Sequence, residues 1–159
     1  MARLPAGAGV VFRPFGQAGA LRQGPRLRAL ARARGLVFLV GADPALAARL
    51  SADGLHLPQR LAHRAGAIRR AHPAWIVTAA AHDMPAALAT RRAGAQAVVV
   101  SPVFPSRSPS AVKPIGPLRF AAIAKGGPTY ALGGVSARTA KRLLLTRAVG
   151  LAAIDGLLG

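Results

Sequence analysis

Short apolar segments alternate along the chain with longer segments that mix apolar and charged residues. The apolar segments do not show the strict alternation of half-exposed strands, so they are typical of parallel strands buried on both faces. The pattern predicts the strands Gly9–Phe15, Leu36–Val40, Gly54–Leu57, Trp75–Ala80, Ala97–Phe104, Thr129–Leu132 and Leu151–Ile154.

The intervening segments carry helix start and stop signals. Pro44 and Pro85 suit first helical turns, Ser136 suits an N-cap, and Gly35 and Gly94 suit C-terminal caps just before strands. The predicted helices are Pro25–Arg34, Pro44–Ser51, Gln59–Ala71, Pro85–Ala93, Pro117–Ala124 and Ser136–Ala148.

Alternating strands and helices predict one α/β domain over residues 1–159, with a parallel sheet covered by helices. Both a doubly wound sheet and a (β/α) barrel satisfy this pattern. A complete barrel usually needs about 250 residues, and this chain begins almost directly in a strand. The barrel interpretation is therefore a (β/α)8 TIM-barrel type that lacks its first βα unit.

Composition narrows the class of protein. Apolar residues make up 52% of the 159 residues, which favours a folded core over disorder. The absence of Cys excludes a disulfide framework and a thiolate nucleophile. No secretory apolar region lies in residues 1–15, and the longest apolar run, Leu36–Ala42, is far shorter than the ~20 residues of a membrane helix. The expected location is the cytoplasm, without a membrane partner.

The charge balance is strongly basic, with 22 Lys and Arg against 4 acidic residues and a net charge of +18. One interpretation is a polyanion partner, either nucleic acid or phosphorylated metabolites. The other is that the arginines form solvated helix faces, as Arg26 and Arg28 do around Leu27. No aromatic RNA-binding signature, zinc knuckle or helix-turn-helix pattern is present, which argues against nucleic acid.

Polar residues gather where the predicted strands end, which is where α/β folds place their sites. Asp43, Asp83 and Asp155 follow strands, and each either serves chemistry or caps the next helix. His82 could be an acid, a base or a metal ligand, or a loop residue without a role. His56 lies within a strand, where its side chain would face a barrel interior or its mouth, or belong to the core.

Two strand ends have unusual sequences. In "YALGGVS" the strand ends in Gly133-Gly134 before a capped helix, which suits either a phosphate site or a tight turn. After Ala97 a valine strand runs into a loop rich in Pro and Ser that also carries Arg107 and Lys113. Such a loop would cover the carboxyl ends of the strands and contact a substrate.

Three stretches together resemble one family, the thiamine phosphate synthases and their TenI-like branch of thiazole tautomerases. "ADGLHLPQ" resembles the family's Ala-Asp-Gly-Val-His-Leu-Gly-Gln signature, and "VVVSPVFPSRSPSAVKPIG" resembles its Gly-Pro-Val-Phe-Pro-Thr strand and loop. "TYALGGVS" resembles its Ala-Ile-Gly-Gly-Ile. The stretches agree with the family in order and spacing.

The resemblance implies a (β/α)8 barrel and a coupling reaction of thiamine biosynthesis. The synthase joins hydroxymethylpyrimidine diphosphate to thiazole phosphate, and diphosphate leaves with the help of Mg²⁺. The implied partners are small phosphorylated molecules, and self-association of the chain is left open. The alternatives are a TenI-like tautomerase and a catalytically silent barrel that binds phosphate or polyanions.

Carried over by position, the resemblance also implies site residues. These are Arg13, Pro102, Gly133, Gly134 and Asp155 for substrate and phosphate binding, His82 and Ser106 for catalysis, and Asp43 for the metal. The chain departs from the family pattern at two metal positions. The family's Asn-Asp becomes Gly41-Ala42, and the acidic residue soon after the Leu-Gly-Gln turn is absent.

Overall fold

A computed structural model describes residues 4–14, 19–106 and 113–154 of the chain. Its centre is one parallel sheet whose strands follow one another in chain order, β1 to β7. The strands are β1 (Gly9–Phe12), β2 (Val37–Gly41), β3 (Gly54–Leu57), β4 (Ile76–Ala81), β5 (Ala97–Val100), β6 (Thr129–Ala131) and β7 (Gly150–Leu151).

Helices connect successive strands, as the alternating pattern predicts. They are α1 (Ala20–Ala33), α2 (Pro44–Arg49), α3 (Ala65–Ala71), α4 (Met84–Arg92), α5 (Gly116–Ala124) and α6 (Ala137–Ala140). Short 3-10 helices at Gln59–Arg64 and Lys141–Leu143 precede α3 and follow α6. Within the ranges that the structure describes, no helix combines the length and apolarity needed to cross a bilayer.

The strand order decides between the two predicted architectures. A doubly wound sheet reverses its order at a switch point, whereas this order runs without reversal from β1 to β7. The α/β barrel interpretation is therefore confirmed, and the seven strands form a curled part of such a barrel. No ladder joins β1 to β7 among the described residues.

The two faces of the sheet differ in what they contact. Leu55 and Val77 are paired in register and fully buried against helices, in a cluster that also contains Phe38. Their neighbours His56 and Thr78, also paired in register, point to the opposite face, since side chains alternate along a strand. The helix-facing side thus supplies the apolar core, and the concave side carries polar groups towards the barrel interior.

Several element boundaries differ from the prediction. The last helix and its 3-10 turn end at Leu143 rather than Ala148, and β7 is Gly150–Leu151 rather than Leu151–Ile154. Helix α1 begins at Ala20 and contains Pro25 inside it, so the helix tolerates one missing N–H donor near its start. Strand β5 ends at Val100 rather than Phe104. Pro102 has no N–H to donate to a ladder, and the N–H groups of Val103 and Phe104 donate instead to the loop after β6.

Candidate active site at the carboxyl ends of the strands

His82 links the ends of three neighbouring strands. Its backbone N–H donates to Oε1 of Gln59, 2.9 Å away, just after β3. Its ring Nδ1 lies 2.5 Å from the carbonyl oxygen of Ser101, which follows β5. A carbonyl oxygen only accepts, so Nδ1 carries the proton, and in the neutral ring Nε2 is left as the acceptor. The exposed ring is thus held in one orientation and can exchange a proton through Nε2.

The loop after β5 packs against the loop after β6. The N–H of Val103 donates to the carbonyl of Leu132 (2.9 Å), and the N–H of Phe104 donates to the carbonyl of Gly133 (3.0 Å). Pro102, Val103 and Phe104 are buried, whereas Ser106 is half-buried near the end of the described part of this loop. Two loops from neighbouring strands therefore form one rigid wall at the mouth of the sheet.

Gly133 and Gly134 are required by this loop pair. Their φ angles are +89° and +62°, which disfavour any residue with a Cβ. A Cβ on Gly133 would lie 2.7 Å from Cα of Pro102, and one on Gly134 would lie 2.8 Å from Cβ of Phe104. The Gly-Gly pair predicts that the backbone comes close to another group. In the structure that group is the loop after β5.

The same loop leaves backbone donors available. Within the described part of the chain, no acceptor bonds the N–H groups of Gly133 and Gly134. The carbonyl of Gly134 accepts from Oγ1 of Thr139 at 2.9 Å, and Ser136 and Thr139 form a reciprocal capping box. Successive free N–H groups in a turn can bind an anion, so this loop could hold a phosphate group.

Arg13 directly follows β1, and His56 lies on β3, two strands further along the sheet. The Arg13 side chain covers Gly41, where a Cβ would lie 2.7 Å from Cγ of the arginine. Nδ1 of His56 lies 2.9 Å from Oγ1 of Thr78. Burial, and secondarily the positive charge of Arg13, lower the pKa of His56 to about 4. His56 is therefore neutral near pH 7, while Arg13 contributes a positive charge to this region.

The predicted carboxylates serve as helix caps where the structure describes them. Oδ1 of Asp43 accepts from the N–H of Leu46 (2.9 Å), and Oδ1 of Asp83 accepts from the N–H of Ala86 (2.8 Å). Asp155 lies outside the described residues. No cluster of three potential metal ligands occurs in residues 4–14, 19–106 and 113–154. Mg²⁺ is usually held by one or two carboxylates together with waters and substrate phosphates, so Asp43 as a metal ligand stays a prediction.

Sequence reasoning missed two hydrogen-bond partners of the candidate residue His82 and one structural contact. Gln59 and Ser101 orient His82, and the signal for Gln59 was its place directly beyond a strand end. Asp53, inside the family-like signature, instead bonds Arg28 with both oxygens at 2.9 Å and accepts from the N–H of Phe38 at 2.7 Å. Asp53 thus links α1 to the sheet and lies at the amino end of β3, opposite the candidate site.

Known proteins of similar sequence point to one family. The family model described as thiamine monophosphate synthase matches residues 10–157. The thiamine-phosphate synthase of Chromobacterium violaceum is 38% identical over 140 residues, which cover 86% of this chain and 67% of that protein. The thiamine-phosphate synthase of Geobacillus kaustophilus is 32% identical over 136 residues, which cover 83% of this chain and 61% of that protein. The chain thus spans about two thirds of the length of these relatives.

A solved structure shows the same fold. The thiamine phosphate pyrophosphorylase of Pyrococcus furiosus superposes with a TM-score of 0.79 at 23% identity, over 92% of this chain and 72% of that one. Three observations now agree: the barrel-type strand order, the stretches that resemble family signatures, and the family model that spans nearly the whole chain. The chain belongs to the thiamine monophosphate synthase family.

Proposed function

We propose that this chain is a thiamine-phosphate-synthase-like transferase that couples hydroxymethylpyrimidine diphosphate to thiazole phosphate. The observation that carries the proposal is the pairing of family membership with the loop wall after β5 and β6, where the N–H groups of Gly133 and Gly134 bond no described residue. The two substrates carry phosphate groups, and this end of the sheet carries donors for them.

The reaction needs charge stabilisation more than proton transfer. The bond between the pyrimidine methylene carbon and the diphosphate oxygen breaks, and the lone pair of the thiazole nitrogen forms the new C–N bond. Negative charge then grows on the departing diphosphate. Arg13 would stabilise that charge, and the N–H groups of Gly133 and Gly134 would hold the thiazole phosphate. Pro102 would shape the loop wall, and Ser106 would donate a hydroxyl hydrogen bond to a substrate.

Mg²⁺ is the metal that the family resemblance implies, and it would neutralise the leaving diphosphate. Among the described residues no three potential ligands cluster, and Oδ1 of Asp43, the predicted ligand, accepts the capping hydrogen bond of α2. We therefore assign the metal no step and no fixed ligands. Charge neutralisation in this proposal depends on Arg13 and on backbone donors.

His82 favours a second candidate, a TenI-like tautomerase acting on thiazole phosphate. Tautomerisation moves a proton from one atom of the ring system to another, so it needs a positioned acid or base. With Nδ1–H donated to Ser101, Nε2 of His82 can accept a proton and return it. The coupling reaction has no such requirement, so His82 separates the two candidates.

The test is to incubate the protein with the pyrimidine diphosphate, thiazole phosphate and Mg²⁺, and to measure thiamine phosphate. Arg13→Ala should abolish product, because the leaving diphosphate loses its cation, while His82→Gln should retain at least about a third of the rate. Arg92→Ala removes an exposed arginine at the end of α4 and serves as the matched control.

Other results would replace the proposal. Isomerisation of thiazole phosphate that His82→Gln abolishes, without any coupling product, would identify the tautomerase. Binding of thiazole phosphate in calorimetry without either reaction would identify a silent phosphate-binding barrel. Coupling that is insensitive to Arg13→Ala would show that the diphosphate binds elsewhere.

A further inference from the structure

A groove of about 370 Å³ lies between α1 and the end of α2. It is lined by Pro25, Arg28, Ala29, Arg32, Arg49, Leu50 and Ser51. Leu50 and Ser51 come shortly before β3 begins, and Arg32 comes shortly before β2 begins. The groove is therefore at the amino ends of the strands, opposite the end that carries His82 and Gly133.

The groove has an excess of positive charge. Of its three arginines, only Arg28 has a carboxylate partner, Asp53, at 2.9 Å. Arg32 and Arg49 are exposed, and neither forms an ion pair or side-chain hydrogen bond within the described ranges. Two unpaired guanidinium groups on one groove repel each other, and a bound anion would remove that repulsion.

The walls of the groove are held in place. The Arg28–Asp53 pair ties α1 to the start of β3, and Asp53 also accepts from the N–H of Phe38. Helix α1 packs so closely on α2 that a Cβ on Gly24 would lie 2.6 Å from Cδ1 of Leu50. Arg32 on α1 and Arg49 on α2 are thus held at a set distance from each other by these contacts. A preorganised site loses less conformational entropy when a ligand binds.

The chemistry of the lining indicates the ligand. Guanidinium groups match the oxygens of phosphate in planar, paired hydrogen bonds. Between the arginines lie Ala29 and the buried side chain of Leu50. Ser51 adds a hydroxyl on a backbone with φ +48°, a conformation that residues other than glycine seldom adopt. The groove therefore suits a small molecule with a phosphate group at one end and an apolar part beside it.

We infer that the α1–α2 groove is a second anion site, distinct from the mouth of the barrel, which binds a small phosphorylated molecule through Arg32 and Arg49. The inference stands independently of the proposed reaction. A ligand in this groove would bridge α1 and α2 and would reinforce the anchoring of both helices at the start of β3.

Calorimetry with inorganic diphosphate at low ionic strength tests this inference. The reference protein carries Arg13→Ala and Gly134→Val, which disrupt both proposed anion positions at the mouth, and it is compared with a groove variant that also carries Arg32→Gln and Arg49→Gln. The matched control carries Arg70→Gln and Arg92→Gln instead, which removes two equal charges from exposed positions on α3 and α4. Circular dichroism confirms that all three proteins are folded.

We expect the reference protein to bind about one diphosphate, the groove variant to bind it at least tenfold more weakly, and the control to change by less than about twofold. The inference is overturned if the reference protein shows no saturable binding, or if the groove variant and the control weaken equally, which would indicate diffuse charge. Failure of the proposed reaction is detected separately, because Arg32→Gln with Arg49→Gln should keep wild-type coupling activity in a protein that retains Arg13 and Gly134.

Discussion

His56 and Thr78 face each other across the β3–β4 ladder, with Nδ1 of the histidine 2.9 Å from Oγ1 of the threonine. This pair lies on the concave face of the sheet, where Arg13 also contributes to lowering the pKa of His56 to about 4. The histidine of the family-like signature is therefore a neutral hydrogen-bonding residue of the interior and adds no positive charge to that of Arg13 near pH 7.

The free energy of unfolding should decrease as the pH is lowered from 6.5 to 4. In this range His56 is protonated in the unfolded state but not in the folded state. The unfolded chain takes up this proton near the ordinary value of 6.5, and the folded chain does so only near pH 4. Above pH 6.5 the neutral His56 therefore does not lower the free energy of unfolding. Between pH 6.5 and 4 the free energy of unfolding decreases, by at most about 3 kcal/mol. Urea unfolding at several pH values measures it.

His56→Gln is the control for this pH dependence, since glutamine can still reach Thr78 but does not titrate. The two proteins share every other ionisable side chain, so the difference between the two curves isolates His56. Parallel curves for the wild type and His56→Gln between pH 6.5 and 4 would refute the prediction.

Asp53→Ala should destabilise the fold without affecting the mouth of the barrel. The substitution removes both bonds to Arg28 and the bond to the N–H of Phe38, and the loss should cost about 2 kcal/mol. Asp83→Ala, which removes one helix cap, should cost about 1 kcal/mol. Chemical denaturation checks both, and a cost for Asp53→Ala no larger than that of Asp83→Ala would contradict the role of Asp53.

Gly134→Val should weaken binding of thiazole phosphate and inorganic phosphate by at least about tenfold, or ~1.4 kcal/mol. The added side chain would collide with Phe104 and separate the two loops that form the wall. Gly7→Val is the matched control, because Gly7 also has a positive φ, +80°, but has no atom within 4 Å of an added Cβ. Titration calorimetry measures the effect; equal affinities for the wild type and Gly134→Val would place the phosphate elsewhere.

The chain should associate as its concentration and the ionic strength rise. Strands β1 and β7 form no ladder with each other among the described residues, and Val11 and Leu151 are 39% and 48% exposed. Unpaired strand edges promote association, while the net charge of +18 opposes it until salt screens the repulsion. Light scattering measures the mass.

Val11→Lys should reduce this association, because a charge on an edge strand discourages pairing with another chain. Lys125→Gln, which alters the charge at the end of α5 and leaves the edge unchanged, is the control. A monomer mass at every salt and protein concentration would show that the edges do not mediate contacts.

The sequence alone determined the local features of this protein. Seven strands, the helices between them and the cap at Ser136 all follow from short-range rules, and capping is one of the two roles predicted for Asp43 and Asp83. A helix cap joins residues three positions apart, and a buried strand shows itself as a run of apolar residues. Such features need no knowledge of what lies nearby in space, and the sequence predicted them for that reason.

Only the tertiary structure decided which residues share a site and what each glycine or carboxylate does there. Asp53 meets Arg28 across 25 positions, and His82 meets Gln59 and Ser101 across 23 and 19. Gly133 and Gly134 also fit within a phosphate-binding turn, but their missing side chains leave room for the loop after β5. Strand order brings these partners together, and a hydrogen bond or a collision between distant segments leaves no periodic trace in the sequence.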